Sequence, residues 1–307
     1  MSRIASVSLD QPLAELANEL GRSFADHGFA IVREHRIAPD LIERSWQRCR
    51  ALFALPEETK LGYHQPGLGG ARGYTPFGTE RAKGAEVRDL KEFWHVGRDL
   101  PAGDPLARYM APNVWPQEIA AFRETFEALF AAFEATGRRI LSAVALHLGL
   151  DQRFFDATVE NGNSVLRLLH YPPMPAAADG AIRAAPHEDI NTITLLLGAE
   201  EAGLELRTRD GRWVPVAPPP GALAVNVGDM LQRMTAGAMR STTHRVINPS
   251  GDAARRSRYA MPFFLHFRPD FVIEPLPHCL AGRAASAEPA ITAHEYLQLR
   301  LREIKLA

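Results

Sequence analysis

Apolar residues recur at the spacing of an α-helix in four stretches of the chain. These stretches cover residues 11–28, 39–56, 116–150 and 291–306. In the first stretch the apolar positions lie three or four residues apart and Gly28 follows the last of them, which predicts a helix that ends at this glycine. The second stretch opens on a proline, a residue that favours the first turn of a helix.

The stretch 116–150 is the longest of the four, and it is expected to form a spine on which the rest of the molecule packs. An aromatic stripe at helical spacing is typical of a packing face rather than of a binding site. Gly137 would interrupt this helix. The stripe consists of Ile119, Phe122, Phe126, Phe130 and Phe133.

After residue 160 the pattern changes from helical spacing to short apolar runs separated by turn residues. The segment 204–216 is typical of a β-hairpin, and 244–267 reads as two strands around a turn. Several short antiparallel strands at regular spacing favour a sandwich or a jelly roll. The turn signals are Asn161-Gly162, Asp210-Gly211, Gly228-Asp229 and residues 249–252.

The front of the chain adds one strand and one long loop to its helices. Residues 29–35 form a short apolar run that predicts a strand, and the glycine-rich residues 64–80 predict a long loop without regular structure. The predicted fold class is therefore α+β, with a helix-rich front and a spine helix around a barrel-like β core.

Composition and charge narrow the kind of protein. The chain has 307 residues, is 46% hydrophobic and carries a net charge of -1, which argues against nucleic acid or an anionic membrane surface as the main partner. The two cysteines, Cys49 and Cys279, form no metal or redox motif. With no signal peptide and no run of about 20 apolar residues, a cytoplasmic protein is expected.

Three ionisable residues, His187, Glu188 and Asp189, directly precede an almost purely apolar run. On an extended chain residues i and i+2 point to the same side, so His187 and Asp189 can reach one point. A second polar stretch ends at His244, just before the apolar residues Val246 and Ile247. Two imidazoles and one carboxylate would leave about three positions of an octahedral metal open, as in non-haem Fe(II) oxygenases. The alternative is a strand cap at His187 and a hydrogen-bonded core histidine at His244.

Arg258 stands where another apolar strand begins, on the face of Ala260, Pro262 and Phe264. A buried guanidinium needs a partner, and a carboxylate bound through two hydrogen bonds is the geometric match. The alternative is a surface arginine in the run that begins at Arg255.

With these motifs the sequence resembles the isopenicillin N synthase-like branch of the Fe(II)/2-oxoglutarate-dependent oxygenases. The resemblance covers nearly the whole chain: "DHGFAIVREH" and "FALPEETK" match the family's N-terminal region, and "LRLLHYPPMP" resembles its Tyr-Pro motif. "PHEDINTITLLL" resembles the H-x-D stretch, "GDMLQRMTAGAMRSTTHRVIN" the second-histidine stretch, and "RYAMPFF" the R-x-S segment.

The resemblance implies a ligand set and a co-substrate site. His187, Asp189 and His244 match the iron ligands, and no catalytic residue beyond them is expected. Arg258 matches the residue that binds the distal carboxylate of 2-oxoglutarate, and Tyr171 matches a tyrosine that helps hold it. The family oxidises a small organic molecule with O2, releasing succinate and CO2.

The resemblance also implies the architecture: a double-stranded β-helix, or jelly-roll, core with a helix-rich N-terminal region, a long spine helix and a C-terminal helix. The expected division is an N-terminal α/β region at residues 1–115, followed by the spine helix, the jelly-roll core and the C-terminal helix at residues 116–307.

Two positions depart from the family pattern. Ala260 replaces the serine of the R-x-S segment, and Leu169 stands where plant relatives often carry asparagine. Ser257 offers a literal R-x-S with Arg255, but it would face away from Arg258. Loss of one hydroxyl hydrogen bond weakens co-substrate binding by roughly 1.5–3 kcal/mol at most.

Because of Ala260, an iron oxidase of the same branch that does not use 2-oxoglutarate stays open. A non-catalytic metal- or ligand-binding protein on the same fold is a further alternative. A zinc hydrolase is less consistent with the sequence, since zinc sites do not require an arginine that binds a carboxylate.

The substrate site is expected near the loop 64–80, as a lid that carries Arg72, Tyr74 and Phe77. The segment 91–99 could line the same site. An arginine in such a lid would suit a carboxylated substrate.

Overall fold

The computed structural model describes residues 3–80, 88–175, 180–198, 203–280 and 288–303, which contain eight α-helices and fourteen β-strands. The helices are α1 (Leu13–His27), α2 (Pro39–Phe53), α3 (Glu57–Leu61), α4 (Phe122–His147), α5 (Asp156–Val159), α6 (Asp229–Met234), α7 (Pro277–Leu280) and α8 (Ala293–Glu303). The strands are β1 (Ser6–Ser8), β2 (Phe29–Arg33), β3 (Gly73–Thr75), β4 (Glu92–Gly97), β5 (Val165–Tyr171), β6 (Ala184–His187), β7 (Ile193–Leu197), β8 (Leu204–Arg207), β9 (Trp213–Pro215), β10 (Leu223–Val227), β11 (His244–Val246), β12 (Arg258–Leu265), β13 (Val272–Ile273) and β14 (Ile291–Thr292).

Two sheets facing each other form the β core. The large sheet has the strand order β1-β2-β10-β7-β12-β5-β4-β3, and the small sheet has the order β6-β11-β8-β9. Apolar side chains from both sheets pack between them, among them Phe29 and Ala224 from the large sheet and Leu206 and Val246 from the small one. This arrangement confirms the predicted α+β class with a jelly-roll core.

Strands from the front of the chain form both ends of the large sheet. β1 and β2 continue it beyond β10, while β4 and β3 continue it beyond β5. The front of the chain is therefore hydrogen-bonded into the same sheet as the strands of the core. The expected division at residue 115 stays a prediction.

The spine helix α4 packs on the outer face of the large sheet. The ring of Phe133 stacks on Phe263 of β12, with ring centroids 5.3 Å apart. A Cβ atom on Gly137 would lie 2.9 Å from Cδ2 of Leu265, so the absence of a side chain allows the helix to lie close to the sheet. The expectation that Gly137 interrupts the helix is wrong, because this glycine lies inside it.

The helix also starts later than predicted. Residues 116–121 precede it, and Ala121 has a left-handed backbone with φ of 54°, which cannot belong to an α-helix. The helix begins at Phe122, so Ile119 of the predicted stripe lies outside it.

Residues 64–80 are more regular than predicted. They contain a short 3₁₀ helix, Pro66–Leu68, and the strand β3, which pairs with β4 at the edge of the large sheet. The expectation of a loop without regular structure is therefore wrong for residues 73–75. The strand was not predicted because glycine, which is depleted in strands, is frequent around it.

The other predicted elements are confirmed. The first two helices, the strand after Gly28, the hairpin β8–β9 and the break before Asp229 occur where the sequence places them. The C-terminal helix begins at Ala293, and its last predicted residues, 304–306, lie outside the described residues. Among the described residues, no helix has the length and apolar character that crossing a bilayer requires.

A substitution at Gly28 tests how closely the end of α1 packs against residues 240–242, which lead to His244. Its φ is 69°, and a Cβ atom there would lie 2.4 Å from both the Arg240 carbonyl oxygen and Oγ1 of Thr242. We expect Gly28→Ala to lower the free energy of unfolding by about 2–5 kcal/mol, the sum of left-handed strain and overpacking. Urea denaturation followed by circular dichroism measures the change.

Gly221→Ala is the matched control. Gly221 has a similar φ of 75° but no atom within 4 Å of the added Cβ, so only the backbone strain of about 1–2 kcal/mol applies. Equal losses in the two variants would contradict the close packing at Gly28.

Candidate metal centre

Three side chains converge in the cavity between the two sheets. His187 lies at the end of β6, His244 at the start of β11, and the two are paired across these strands. The Nε2 atoms of His187 and His244 lie 3.8 and 3.7 Å from Oδ1 of Asp189. One ligand atom from each residue lies within 4.8 Å of the other two.

Backbone carbonyl groups set the orientation of both imidazoles. Nδ1 of His187 donates to the carbonyl oxygen of Ala185 at 2.7 Å, and Nδ1 of His244 donates to that of Thr242 at 3.0 Å. In each ring the proton is therefore on Nδ1, and the lone pair of Nε2 points toward Asp189.

The carboxylate of Asp189 is held by one of its two oxygens. Oδ2 accepts hydrogen bonds from Oγ1 of Thr194 at 2.5 Å and from Nδ2 of Asn226 at 2.8 Å. Asn191 in turn donates to Thr194. These neighbours fix the carboxylate and leave Oδ1 facing the two imidazoles.

The loop that carries Asp189 is anchored by the start of α6. The backbone N–H of Asp229 donates to the Asp189 carbonyl oxygen at 2.9 Å, and that of Gly228 donates to Thr192 at 3.0 Å. A Cβ atom on Gly228 would lie 2.1 Å from the carbonyl oxygen of Asn191. Glycine is thus required for this close approach.

Electrostatics at the centre favour a cation. Burial and the neighbouring imidazole of His244 lower the pKa of His187 to about 4, so this ring is neutral at neutral pH. Burial alone would raise the pKa of Asp189, but the two imidazoles and the hydrogen bonds from Asn226 and Thr194 lower it on balance. Two imidazole nitrogens and one carboxylate oxygen that face each other fit a divalent metal ion.

Arg258 lies in the same cavity. It is 3% exposed and stands at the start of β12, opposite Tyr171 on β5, with its guanidinium carbon 5.1 Å from the centre of the tyrosine ring. As predicted, Arg258 shares its face with Ala260, Pro262 and Phe264, and all of them line the cavity.

The serine of the alternative R-x-S register has a different partner. Oγ of Ser257 lies 2.9 Å from Nε2 of His170, whose other nitrogen, Nδ1, lies 2.6 Å from Glu92. His170 belongs to the opposite face of β5 from Tyr171. Ser257 therefore faces away from Arg258, in agreement with the sequence argument.

Two further cations that were not predicted, Lys91 and Arg167, line this cavity, and they are paired with the carboxylates of Glu80 and Asp89. Glu80 accepts hydrogen bonds from both terminal nitrogens of Arg167 at 3.2 Å, and Nζ of Lys91 lies 2.5 Å from Glu80 and 2.8 Å from Asp89. Burial alone would raise the pKa of Glu80, but the two cations lower it far below its usual range.

A signal for part of this group was present in the segment 91–99. Lys91, Phe93 and His95 alternate with Glu92 and Trp94, as they do on a strand with two different faces. Lys91 and Arg167 both line the cavity, and Glu80 pairs with both of them. Glu80 lies in the segment before β4 and Arg167 on β5, so no local pattern connects these residues.

The three residues predicted for a substrate lid do not lie together. Tyr74 is on the helix-facing side of the large sheet, where its hydroxyl donates to Glu92, so it does not line the metal cavity. Phe77 is 45% exposed. Arg72 is 2% exposed and lies against Gly97 of β4. The prediction that Tyr74 contacts the substrate is inconsistent with this geometry.

Comparison with known proteins gives two matches to described families. Residues 2–118 match the family described as "non-haem dioxygenase in morphine synthesis N-terminal", and residues 162–267 match the "2OG-Fe(II) oxygenase superfamily". The second range contains all three converging residues and Arg258.

Individual relatives of the chain belong to the same family of oxygenases. The chain is 32% identical over 295 residues to the 2-oxoglutarate-Fe(II) type oxidoreductase hxnY of Emericella nidulans, a match that covers 93% of this chain and 83% of the relative. A crystal structure of a protein from Caulobacter crescentus, named for the 2OG-Fe(II) oxygenase family, is 49% identical, with a TM-score of 0.91 over 99% of this chain and 100% of that one.

A third relative was solved with small molecules bound. The crystal structure of a full-length Neurospora crassa protein in complex with alpha-KG and thymine is 27% identical, with a TM-score of 0.84 over 97% of this chain and 96% of that one. With the motifs, the jelly roll and these relatives in agreement, the chain belongs to the isopenicillin N synthase-like family of 2-oxoglutarate-Fe(II) oxygenases.

Proposed function

We propose that the chain oxidises a small organic molecule, with Fe(II) bound by His187, Asp189 and His244 and with 2-oxoglutarate bound by Arg258. The observation that supports this most strongly is the convergence of two Nε2 atoms and one carboxylate oxygen in a cavity that also contains a buried arginine. When bound, Fe(II) and 2-oxoglutarate supply the chemistry that activates O2 and oxidises the substrate, with release of succinate and CO2.

The chain's own residues bind and orient the metal ion and the co-substrate, and they exclude water from the site. The two imidazoles and Asp189 would hold the metal ion through two nitrogens and one oxygen. Apolar residues such as Leu196 and Phe264 line the remaining wall and keep water away from the reacting atoms. No residue needs to act as a general base in this scheme, so none is assigned beyond the metal ligands.

Arg258 and Tyr171 are the proposed partners of the co-substrate. A guanidinium binds a carboxylate through two parallel hydrogen bonds, and the low dielectric of a buried site strengthens them. Ala260 contributes no hydroxyl group beside Arg258, and Leu169 on the adjacent strand is apolar as well. Binding of the distal carboxylate therefore depends on Arg258 and the Tyr171 hydroxyl.

The substrate is a small molecule rather than a macromolecule in this proposal. Support comes from the Neurospora crassa relative, which was solved with thymine and alpha-KG. The cytoplasmic location and the lack of nucleic-acid and membrane partners stay predictions from composition.

The whole scheme can be tested on the protein without oxygen. We expect addition of Fe(II) and 2-oxoglutarate under nitrogen to produce the weak visible absorption band of their complex, and admission of oxygen to yield succinate. Metal binding without the band would favour an oxidase that does not use 2-oxoglutarate. Tight metal binding with no oxygen consumption would favour a binding protein.

A substitution next to Asp189 tests the metal assignment. Thr194→Val removes the hydroxyl that donates to Asp189 but keeps the side-chain volume. We expect Fe(II) affinity to fall by roughly 10- to 100-fold, the usual effect of removing a hydrogen bond that orients a metal ligand. An anaerobic titration with Fe(II) measures the dissociation constant.

Thr192→Val is the matched control for this experiment. Thr192 is fully buried on the same loop, and its hydroxyl has no hydrogen-bond partner in the described structure. Iron affinity should therefore be unchanged. If both variants bind iron like the original chain, Asp189 is not the ligand that the proposal requires.

Arg258→Gln tests the co-substrate assignment. Removing one partner of a buried charge pair costs about 2–5 kcal/mol, so the dissociation constant of 2-oxoglutarate should rise by roughly 30-fold or more. Iron affinity should change little. Arg255→Gln, at the exposed arginine of the other R-x-S register, should leave 2-oxoglutarate binding unchanged, and the reverse pattern would assign the site to Arg255.

A further inference from the structure

The strand that carries His187 is irregular just before this residue. This strand, β6, stands at one end of the small sheet and pairs with β11. Between its two pairs with β11, β6 has two residues, Ala185 and Pro186, where β11 has one, Arg245. Such a bulge disrupts the ladder of hydrogen bonds, and Pro186 has no N–H group to contribute to it. The backbone before His187 therefore needs support from outside the small sheet.

The segment that leads into β4 gives this support. Oδ1 of Asp89 accepts a hydrogen bond from the backbone N–H of Ala185 at 2.9 Å. The next residue, Leu90, donates its backbone N–H to the carbonyl oxygen of Ile182 at 3.1 Å. Because β4 belongs to the large sheet, these two contacts connect the bulge of the small sheet to the opposite side of the cavity.

The residue that Asp89 holds also orients the imidazole of His187. The carbonyl oxygen of Ala185 accepts the hydrogen bond from Nδ1 of His187 at 2.7 Å. Ala185 is thus bound through its N–H group by Asp89, and through its C=O group it binds the ring. A shift of this one residue would turn the imidazole and move its Nε2 atom away from Asp189.

The carboxylate of Asp89 is itself fixed by an ion pair. Asp89 is 3% exposed, and its Oδ2 lies 2.8 Å from Nζ of Lys91. Burial alone would lower the pKa of Lys91, but Glu80 and Asp89 raise it on balance, so the ammonium group is charged. A charge-assisted bond to Oδ2 holds the carboxylate in place and keeps Oδ1 directed at Ala185.

His187 depends on this support more than His244 does. The side chain of His187 is 33% exposed, whereas that of His244 is 9% exposed. The ring of His244 also lies edge-on against the ring of Phe29, with centroids 5.5 Å apart. Packing therefore restrains His244 more tightly, and the orientation of His187 relies on its hydrogen bond to Ala185.

We propose that Asp89 is a positioning residue for the metal centre: its carboxylate holds Ala185, which in turn holds the ring of His187 with Nε2 directed at the metal. The proposal rests on the proposed function, since it takes His187 as a metal ligand. It makes Lys91, which lines the cavity, part of the same support.

Nitrogen NMR of the metal-free protein tests the proposal without turnover. With isotope-labelled histidine, couplings between ring protons and ring nitrogens show which nitrogen carries the proton. The signals of His187 and His244 are assigned by their loss in His187→Ala and His244→Ala. We expect Asp89→Ala to increase the population of His187 that carries its proton on Nε2. His244 should be unchanged in the same spectrum, where it serves as an internal control.

An anaerobic titration with Fe(II) tests the consequence for the metal. Loss of a residue that orients a metal ligand costs roughly 10- to 100-fold in affinity, so the dissociation constant should rise by about this factor in Asp89→Ala. Asp89→Asn keeps an oxygen that can accept from the N–H of Ala185, and Lys91 keeps its second partner, Glu80. Its iron affinity should therefore stay within a few-fold of that of the original chain.

Asp104→Ala is the matched control. Oδ1 of Asp104 also accepts a hydrogen bond from a backbone N–H, that of Leu106 at 2.8 Å, but Asp104 is not among the residues that line the cavity. This variant loses the same kind of bond and should keep the original iron affinity and the original proton position on His187.

The milder variant Lys91→Met keeps Asp89 but removes the ion pair that fixes it. Iron affinity should fall a few-fold, and the proton on His187 should shift in the same direction as in Asp89→Ala. If Asp89→Ala does not fold, Lys91→Met supplies the comparison.

A purely structural role of Asp89 would give a different result. Asp89→Ala would then lower the Tm but leave the Fe(II) dissociation constant and the proton position on His187 as in the original chain, and this result would overturn the proposal. Iron binding as weak in Asp89→Asn as in Asp89→Ala would also contradict it. If the original chain does not bind Fe(II), the proposed function is wrong, while the NMR comparison still shows whether Asp89 orients His187.

Discussion

The buried carboxylate of Asp189 is the constraint around which the site is organised. A carboxylate inside a β core is stable only when its charge is compensated. The two oxygens of Asp189 have different neighbours. Thr194 and Asn226 bind Oδ2, while Oδ1 faces two imidazoles that are themselves oriented by backbone carbonyl groups. The hydrogen bonds fix the geometry of the site, and a divalent cation would compensate the charge of the carboxylate.

This constraint explains why the residues of the site could be predicted from the local sequence. The H-x-D spacing on an extended chain, the polar entry before Val246 and the arginine at the start of β12 all follow from strand periodicity, which the sequence displays directly. The side-chain face of Arg258 and the opposite direction of Ser257 were predictable for the same reason. Gly28 and the hairpin at Gly211 likewise carry their backbone geometry in their residue type.

What could not be predicted depends on contacts between distant segments. Glu80 and Arg167 are 87 residues apart and form an ion pair, with Glu80 in the segment between β3 and β4 and Arg167 on β5, so only the folded sheet brings them together. β3 exists because it pairs with β4, although its glycines disfavour a strand. Gly137 was expected to break the spine helix, yet it lies where the helix closely approaches Leu265. For β3 and Gly137, packing overrides the local preference.

The large sheet contains strands from two parts of the chain, the front and the jelly-roll core. β7 and β10 supply the hydrogen bonds that hold Asp189, the proposed metal ligand, and β12 carries Arg258, the proposed partner of the co-substrate. β4 and β3, from the front of the chain, lie toward one end of the same sheet, and Lys91, directly before β4, lines the cavity from there. The fixed register across the sheet still holds the two regions at a defined separation.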